Sequence, residues 1–274
     1  MFDHKILYNS ESISIDYAKR DYLEGAESAI IEKLGNRLKE MDMLDMGVGG
    51  GRTTKYFAPL AGNYIGADYA PAMIRTCKVK YRDKYCFVES DVRSMDIFGS
   101  SMFDFVLFSY NGIDSFCHED RLTAFKEIRK VLRGNGYFYF SSHNLNWENL
   151  SDIFSFKLNR IGVDETNGLV DFIRLFNNGI KSVFGTLRLN ILNRSLWRKN
   201  FIQKLRENQR SLLFDNSLKG RASVYYITRT EQIKQLENIG FKNITTYSRN
   251  GTNTENKDEL NKDGWIYYLC QVDK

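Results

Sequence analysis

The chain has 274 residues, 42% of them apolar and 27% charged, with a formal net charge of +5; that is enough apolar content to bury a core, in one large domain or a domain with an insertion. No stretch approaches the roughly 20 apolar residues of a membrane span, and the opening MFDHKILYNSESISIDYAKR has no apolar core of a signal peptide, so a soluble, cytoplasmic protein without membrane contact is expected. Cys77, Cys86, Cys117 and Cys270 form no CxxC pair, and with only His4, His118 and His143 beside them a metal site of Cys and His is not expected.

In chain order, Ala18 to Glu40 predicts an amphipathic helix, with Tyr22, Ala26, Ala29, Ile30, Leu34 and Leu38 at helical spacing. MDMLDM (41–46) predicts a strand that enters the glycine-rich GVGGG, followed by a helix near Arg52 to Leu60. NYIGAD (63–68) predicts a second strand, and Pro71 opens the next helix at a favoured first-turn position. KYCFVES (84–90) and FDFVLFSY (103–110) are apolar-aromatic strands, with a helix from Glu119 to Leu132 before GYFYFSSH (136–143), the fifth strand. Five buried strands alternating with helices predict an α/β fold with a mostly parallel sheet covered on both faces.

After His143 the alternation stops for nearly eighty residues. FSFKLNRIG, LVDFIRLFNNGIKSVF and SLWRKNFIQKLREN predict helices of an inserted cap. Thr228 to Gly240 predicts a helix with capping-box spacing between Thr228 and Glu231 and a glycine stop. FKNITTYS (241–248) and WIYYLCQV (265–272) then predict a C-terminal antiparallel hairpin. The expected organisation is a helical N-terminal segment (1–40), an α/β core (41–145), a helical cap insertion after the fifth strand (146–222) and a C-terminal part of the core (223–274).

A glycine loop between strand and helix offers bare backbone N–H groups to a ligand at the positive end of the helix. The dinucleotide pattern GxGxxG fails, because Arg52 stands where its third glycine belongs, and no Gly-Lys-Ser/Thr closes a P-loop. What fits is D-x-G-x-G-x-G: Asp45, Gly47, Gly49 and Gly51. With Asp68 and Asp91 at the ends of the next two strands, the chain resembles the class I S-adenosylmethionine (SAM) dependent methyltransferases, whose Rossmann-like fold the predicted elements match. The resemblance spans about Met41 to His143 and the last helix and two strands.

This resemblance implies SAM as cofactor, leaving as S-adenosylhomocysteine. It places Asp45 and the three spaced glycines around the methionine part of SAM. It places Asp68, with Tyr69 beside it, at the ribose hydroxyls, for which two carboxylate oxygens suit two donors. Asp91 and Val92 then meet the adenine; Ser109, Tyr110 and Asn111 lie beneath the reacting methyl, and Tyr17 of the N-terminal segment closes over the cofactor. Taken singly, each acid also fits a loop carboxylate satisfied by backbone N–H groups. Gly50 is extra to the pattern and reads as relief of crowding; Arg52 can meet an anion, with a helix-surface arginine as the commoner case.

Methyl transfer from a sulfonium rests on positioning and water exclusion, and a base helps only an acceptor that must lose a proton. His143, at the end of the fifth strand, is the first candidate to touch the acceptor, and Asp114 is the second. Each also has a structural reading, as a bonded strand-end histidine and as a turn residue. Tyr110 can pack by the sulfonium through its ring.

Between Asn146 and Ala222 there are 13 Lys/Arg against 7 Asp/Glu, so the positive surplus belongs to the cap. Its Phe154, Phe156, Phe172, Phe176, Phe184 and Trp197 can wall a pocket or form the cap's own core. Arg174, Arg188, Arg194 and Arg198 can bind phosphate or carboxylate groups if they face inward. A cap of this length suggests an enclosed pocket, and hence methylation of nitrogen or oxygen on a small molecule such as an amino acid derivative, sugar or secondary metabolite. Two alternatives stay open: an RNA or protein methyltransferase using the basic cap, and a non-catalytic SAM-binding protein. Against nucleic-acid bases, SYNG lacks the Pro-Pro-aromatic clamp. A homodimer through the N-terminal helix or the cap is compatible with the sequence.

Overall fold

The computed structural model describes residues 8–154, 200–214 and 222–273. Nine strands join one sheet: β1 (Asp42–Met46), β2 (Asn63–Asp68), β3 (Cys86–Glu89), β4 (Phe103–Phe108), β5 (Leu132–Asn144), β6 (Arg210–Phe214), β7 (Ser223–Ile227), β8 (Phe241–Tyr247) and β9 (Trp265–Val272). Strands β3, β2, β1, β4 and β5 lie side by side and parallel. Their C-terminal ends therefore share one edge of the sheet, where open α/β folds place ligands. The expected C-terminal hairpin is present, with β8 antiparallel to β9 and β9 antiparallel to β5.

Alternation along the central strands builds two cores, one on each face. Phe105, Leu107, Tyr139, Tyr267 and Leu269 face one side; they pack with Ile30 of helix α2 (Gly25–Leu34), Phe57 of α3 (Thr54–Phe57), and Ile74 and Cys77 of α4 (Pro71–Tyr81). Val106, Phe108, Phe138, Phe140 and Tyr268 face the other side, against Phe125 and Ile128 of α5 (His118–Val131) and Leu236 of α7 (Arg229–Ile239). Helix α7 begins as expected: Glu231 N–H donates to Thr228 Oγ1 at 3.3 Å, and Gly240 ends it at a φ of +96°.

Four differences from the sequence reading matter. The single helix expected over 18–40 is two elements, α1 (Glu11–Ala18) and α2, joined by a non-helical link from Lys19 to Glu24. Glu24 and Glu27 form a capping box that starts α2 afresh, with the Glu24 N–H donating to Glu27 Oε2 at 2.8 Å. The expected helix after the glycine loop is only α3 at its centre, and β5 starts at Leu132, because the LRGNG segment already extends beside β4.

The fourth difference concerns the segment assigned to the cap. Part of it is helical, a 3-10 turn at Leu150–Phe154 and α6 (Phe201–Glu207), but Arg210–Phe214 is strand β6, antiparallel to β7 on the main sheet. Strand β7 was not foreseen either. It runs parallel to β5 only at His143 and Asn144. Since β9 holds one edge of β5 from Tyr137 to His143, β7 takes the other edge, beyond the point where β4 stops at Phe108 opposite Phe140. The chain leaving β4 must turn out through this gap, and its 3-10 turn Gly112–Ser115 packs on β5 and β7. A small third core of Leu145, Leu150, Leu205, Leu213 and Tyr226 lies under this corner. The predicted helices FSFKLNRIG and LVDFIRLFNNGIKSVF, the first five residues of SLWRKNFIQKLREN, and the side chains from Phe154 to Arg198 proposed for the pocket lie outside the described residues.

Candidate functional site

The glycine loop leaves β1 with Gly47, Gly49 and Gly51 at φ of +66°, +55° and +75°, a region that residues with a Cβ seldom enter. A Cβ on Gly47 would stand 2.5 Å from the Phe108 ring at the end of β4. Gly50 has a different reason: a Cβ there would lie 2.4 Å from the backbone nitrogen of Ala18. The N-terminal segment crosses the loop backbone to backbone, and Gly50 makes that crossing possible.

Between this crossing and the strand ends is a cavity. Its floor is the glycine loop with Asp45, Asp68, Val92, Phe108 and Ser109. Tyr8, Tyr17 and Arg20 form a roof from the N-terminal segment, and Tyr69, Tyr110, Asn111 and Phe116 close the sides.

Asp45 and Asp68 are 2% and 5% exposed. Asp45 Oδ2 accepts from Thr53 Oγ1 at 2.6 Å and Tyr64 OH at 2.7 Å; burial, opposed by these bonds, raises its pKa to about 6. Asp68 Oδ2 accepts from Gly49 N–H at 3.0 Å and Oδ1 from Ala70 N–H at 2.9 Å, and burial lifts it to about 6 as well. The bond to Gly49 ties the second strand to the glycine loop, so two of the sequence motifs meet directly.

The third acid behaves differently. Asp91 is not among the cavity-lining residues; its carboxylate is held by Arg93 at 2.7 and 3.0 Å, while Val92 beside it does line the cavity. Ser109 lines the cavity and donates to Glu27 of α2. Tyr110 and Asn111 follow at φ of +56° and +58°, a sharp left-handed turn at the end of β4. The turn lays the Tyr110 ring edge-on to Trp265 at 4.7 Å and brings its hydroxyl within 3.0 Å of that of Tyr22. Arg20 and Arg52 stand 5.2 and 4.9 Å from the same ring, so cations already occupy its neighbourhood.

Asp114 and His143 are brought together but lie behind the wall. Neither lines the cavity. His143 Nδ1 is 2.7 Å from Asp114 Oδ2, and its Nε2 is 3.3 Å from the side-chain nitrogen of Asn111. His118 starts α5, with Nδ1 3.0 Å from Tyr225 OH. Among the described residues, no group of three His, Cys, Asp or Glu could hold a metal ion, and no helix is long and apolar enough to cross a membrane.

Sequence reasoning missed Glu27, Arg20, Tyr8 and Phe116, and for Arg52 favoured a helix surface over the alternative that it meets an anion. Arg52 is not on a helix surface; it is 8% exposed and paired to the fully buried Glu27. The only sequence signal for Glu27 was its spacing from Glu24, which reports the helix cap and not the ion pair.

The buried carboxylates and the glycine cradle fit a cationic nucleoside ligand with a ribose. The sequence model of a methyltransferase domain family matches residues 44–140. Over those residues the chain carries a methyltransferase domain, and its fold is that of the class I SAM-dependent methyltransferases. Its fold is similar to that of a SAM-dependent methyltransferase from Clostridium acetobutylicum (14% identity, 91% of this chain and 92% of that one, TM-score 0.56). A SAM-dependent methyltransferase from Mesorhizobium loti is similar over 90% and 97% of the two chains, at 12% identity and a TM-score of 0.56. The 1,6-didemethyltoxoflavin-N1-methyltransferase of Burkholderia thailandensis, solved with 1,6-didemethyltoxoflavin and S-adenosylhomocysteine, is similar over 100% and 92% (14% identity, TM-score 0.55). No curated protein matches the sequence. The matched domain thus runs from within β1, through the glycine loop, into β5.

Proposed function

We propose that this methyltransferase acts on a nitrogen or oxygen of a small-molecule acceptor, such as an amino acid derivative, a sugar or a secondary metabolite. The observation that carries the reading is the roof. The N-terminal segment closes over the glycine loop at Gly50 and turns an open strand edge into a bounded, aromatic-rich cavity. A small acceptor fits such a space better than a duplex or a folded protein does. The Burkholderia enzyme of similar fold has a small molecule, 1,6-didemethyltoxoflavin, bound together with S-adenosylhomocysteine, which supports the reading.

Bound SAM supplies a methyl group on a positively charged sulfur. The residues assigned to hold it are Asp45 with Gly47, Gly49 and Gly51 for the methionine end, Asp68 and Tyr69 for the ribose, Val92 for the base, and Ser109, Asn111 and Tyr17 around the methyl. Asp91, held by Arg93 outside the cavity lining, is assigned to the adenine side with Val92. Tyr110 presents an aromatic face, and water exclusion under the roof keeps the reacting atoms together. Asp114 and His143 are assigned to the acceptor side, and the segment from Asn146 to the start of β6 to acceptor choice.

Calorimetric titration with SAM and S-adenosylhomocysteine, repeated on Asp68→Ala, tests the cofactor site. Micromolar binding that collapses in the variant is expected. Transfer of labelled methyl to small molecules and not to RNA or protein then supports the acceptor class. RNA binding that falls steeply with salt, with methylated RNA as product, would replace it.

A further inference from the structure

Behind Asn111 lies a chain of buried polar side chains that SAM binding does not explain. Arg121 of α5 is 0% exposed, and Asp114 and Gln232 beside it are equally buried. The Arg121 guanidinium donates through Nη1 to Asp114 Oδ1 and through Nη2 to Gln232 Oε1 and, at 3.0 Å, to Ser142 Oγ. It packs over the Tyr225 ring at 4.8 Å. Asp114 is saturated: Oδ1 also accepts from Ser142 Oγ at 2.8 Å, and Oδ2 takes the His143 backbone N–H at 2.6 Å and faces His143 Nδ1.

A carboxylate paired with a guanidinium can only accept, so the proton of the neutral imidazole belongs on Nδ1. Nε2 is then bare, and it takes its hydrogen from Asn111 Nδ2. That in turn orients the amide: Asn111 Oδ1 is buried and has no hydrogen-bond partner among the described residues, on a side chain that lines the cavity. A buried fixed charge is costly, and breaking such a pair leaves an uncompensated ion. Helix packing alone would be served by apolar residues.

We propose that Arg121 is a positioning residue that fixes Asp114 and, through it, the Nδ1–H form of His143. Nε2 thereby stands as a proton acceptor behind the cavity wall at Asn111, and the methyl acceptor is a nucleophile that arrives with its proton, a hydroxyl or an N–H. This rests on the methyltransferase reading above. The O–H or N–H takes the place of the Asn111 donor on Nε2. Its proton moves to Nε2 as its lone pair forms the new bond to the methyl carbon; the carbon–sulfur bond breaks with its electron pair left on sulfur. The imidazolium then returns its proton to solvent.

The test uses the full chain, labelled with 15N and saturated with S-adenosylhomocysteine. With three histidines in the sequence, His4→Gln and His118→Gln assign His143 in two-bond proton–nitrogen spectra. The expected pattern is Nδ1 protonated and Nε2 bare. In Arg121→Met the lone carboxylate draws a second proton onto the ring and the doubly protonated pattern appears; Arg121→Lys restores the original. If Arg121→Met does not fold, the same substitution combined with Asp114→Asn removes both charges, and a mixture of the two neutral tautomers is expected. A proton on Nε2 in the parent, or an unchanged spectrum in Arg121→Met, overturns the proposal. Labelled-methyl transfer, screened over phenols, alcohols, N–H heterocycles, tertiary amines and thioethers, reads the acceptor class. Activity on O–H or N–H compounds should fall at least about tenfold in Arg121→Met and recover in Arg121→Lys, with S-adenosylhomocysteine affinity held within about twofold. Transfer confined to tertiary amines or thioethers sinks the acceptor class. Failure to bind S-adenosylhomocysteine sinks the cofactor reading instead, and the ring pattern without ligand still decides the relay.

Discussion

Arg52 of the glycine loop grips Glu27 of α2 through two parallel hydrogen bonds, Nη1 to Oε2 at 2.6 Å and Nη2 to Oε1 at 2.5 Å, with the carboxylate fully buried. Glu27 also receives the Glu24 N–H and the Ser109 hydroxyl, so one side chain ties the helix cap, the cofactor loop and the end of β4. Arg52→Met leaves that carboxylate unpaired and should lower stability by about 3–5 kcal/mol in urea unfolding. Adding Glu27→Leu should recover much of the loss. Equal, additive losses would mean the two residues act separately.

SAM affinity should depend on pH through Asp45 and Asp68, both raised to about 6 by burial. Above that value they are carboxylates, suited to a cationic ligand and to ribose hydroxyls; below it they are protonated. Affinity measured by calorimetry should therefore fall as pH drops from about 7.5 to about 5, by roughly tenfold for each group whose charge is needed. A flat profile would remove both carboxylates from the binding site.

The same shift has the opposite effect on the ligand-free fold. An acid whose pKa is raised on folding binds its proton more tightly in the native state, so its contribution to stability declines as pH rises from about 4 to about 6. Asp45→Asn keeps an oxygen for Thr53 and Tyr64 and removes the buried charge. The variant should be more stable than the parent near neutral pH, by about 1–3 kcal/mol, and bind SAM more weakly. Loss of stability in that variant would contradict the account.

Gly50→Ala places a methyl against the backbone of Tyr17 and Ala18. The roof should lift while the sheet stays intact. Trypsin cleavage after Lys19 or Arg20 should accelerate, SAM affinity should drop several-fold, and global unfolding should change by less than about 1 kcal/mol. Unchanged proteolysis would show that the crossing is not held closely.

How far the sequence reached differs from element to element. The strands of the cofactor half were legible because Phe103–Phe108 and Gly136–His143 are buried on both faces and read as unbroken apolar runs. The cut in the N-terminal helix was not, since Tyr22 keeps helical spacing with Ala26 although the chain between Lys19 and Glu24 is not helical. Strand β6 was hidden because Arg210 and Ser211 give no apolar signal, and its pairing to β7 decides its conformation. Asp91 matched the pattern by position, and only the structure shows Arg93, two residues on, paired to its carboxylate.

By itself the sequence determined the parallel α/β core, the glycine loop and the acids at the first two strand ends, because strand periodicity, glycine conformation and motif spacing are local properties of the chain. Only the tertiary structure decided which of those groups share a cavity, that Arg52 is buried on Glu27 and Arg121 on Asp114, and that the N-terminal segment crosses at Gly50. Those pairings join residues 25, 7 and some 32 positions apart through desolvation and hydrogen-bond geometry, which exist only once the helices and strands have packed.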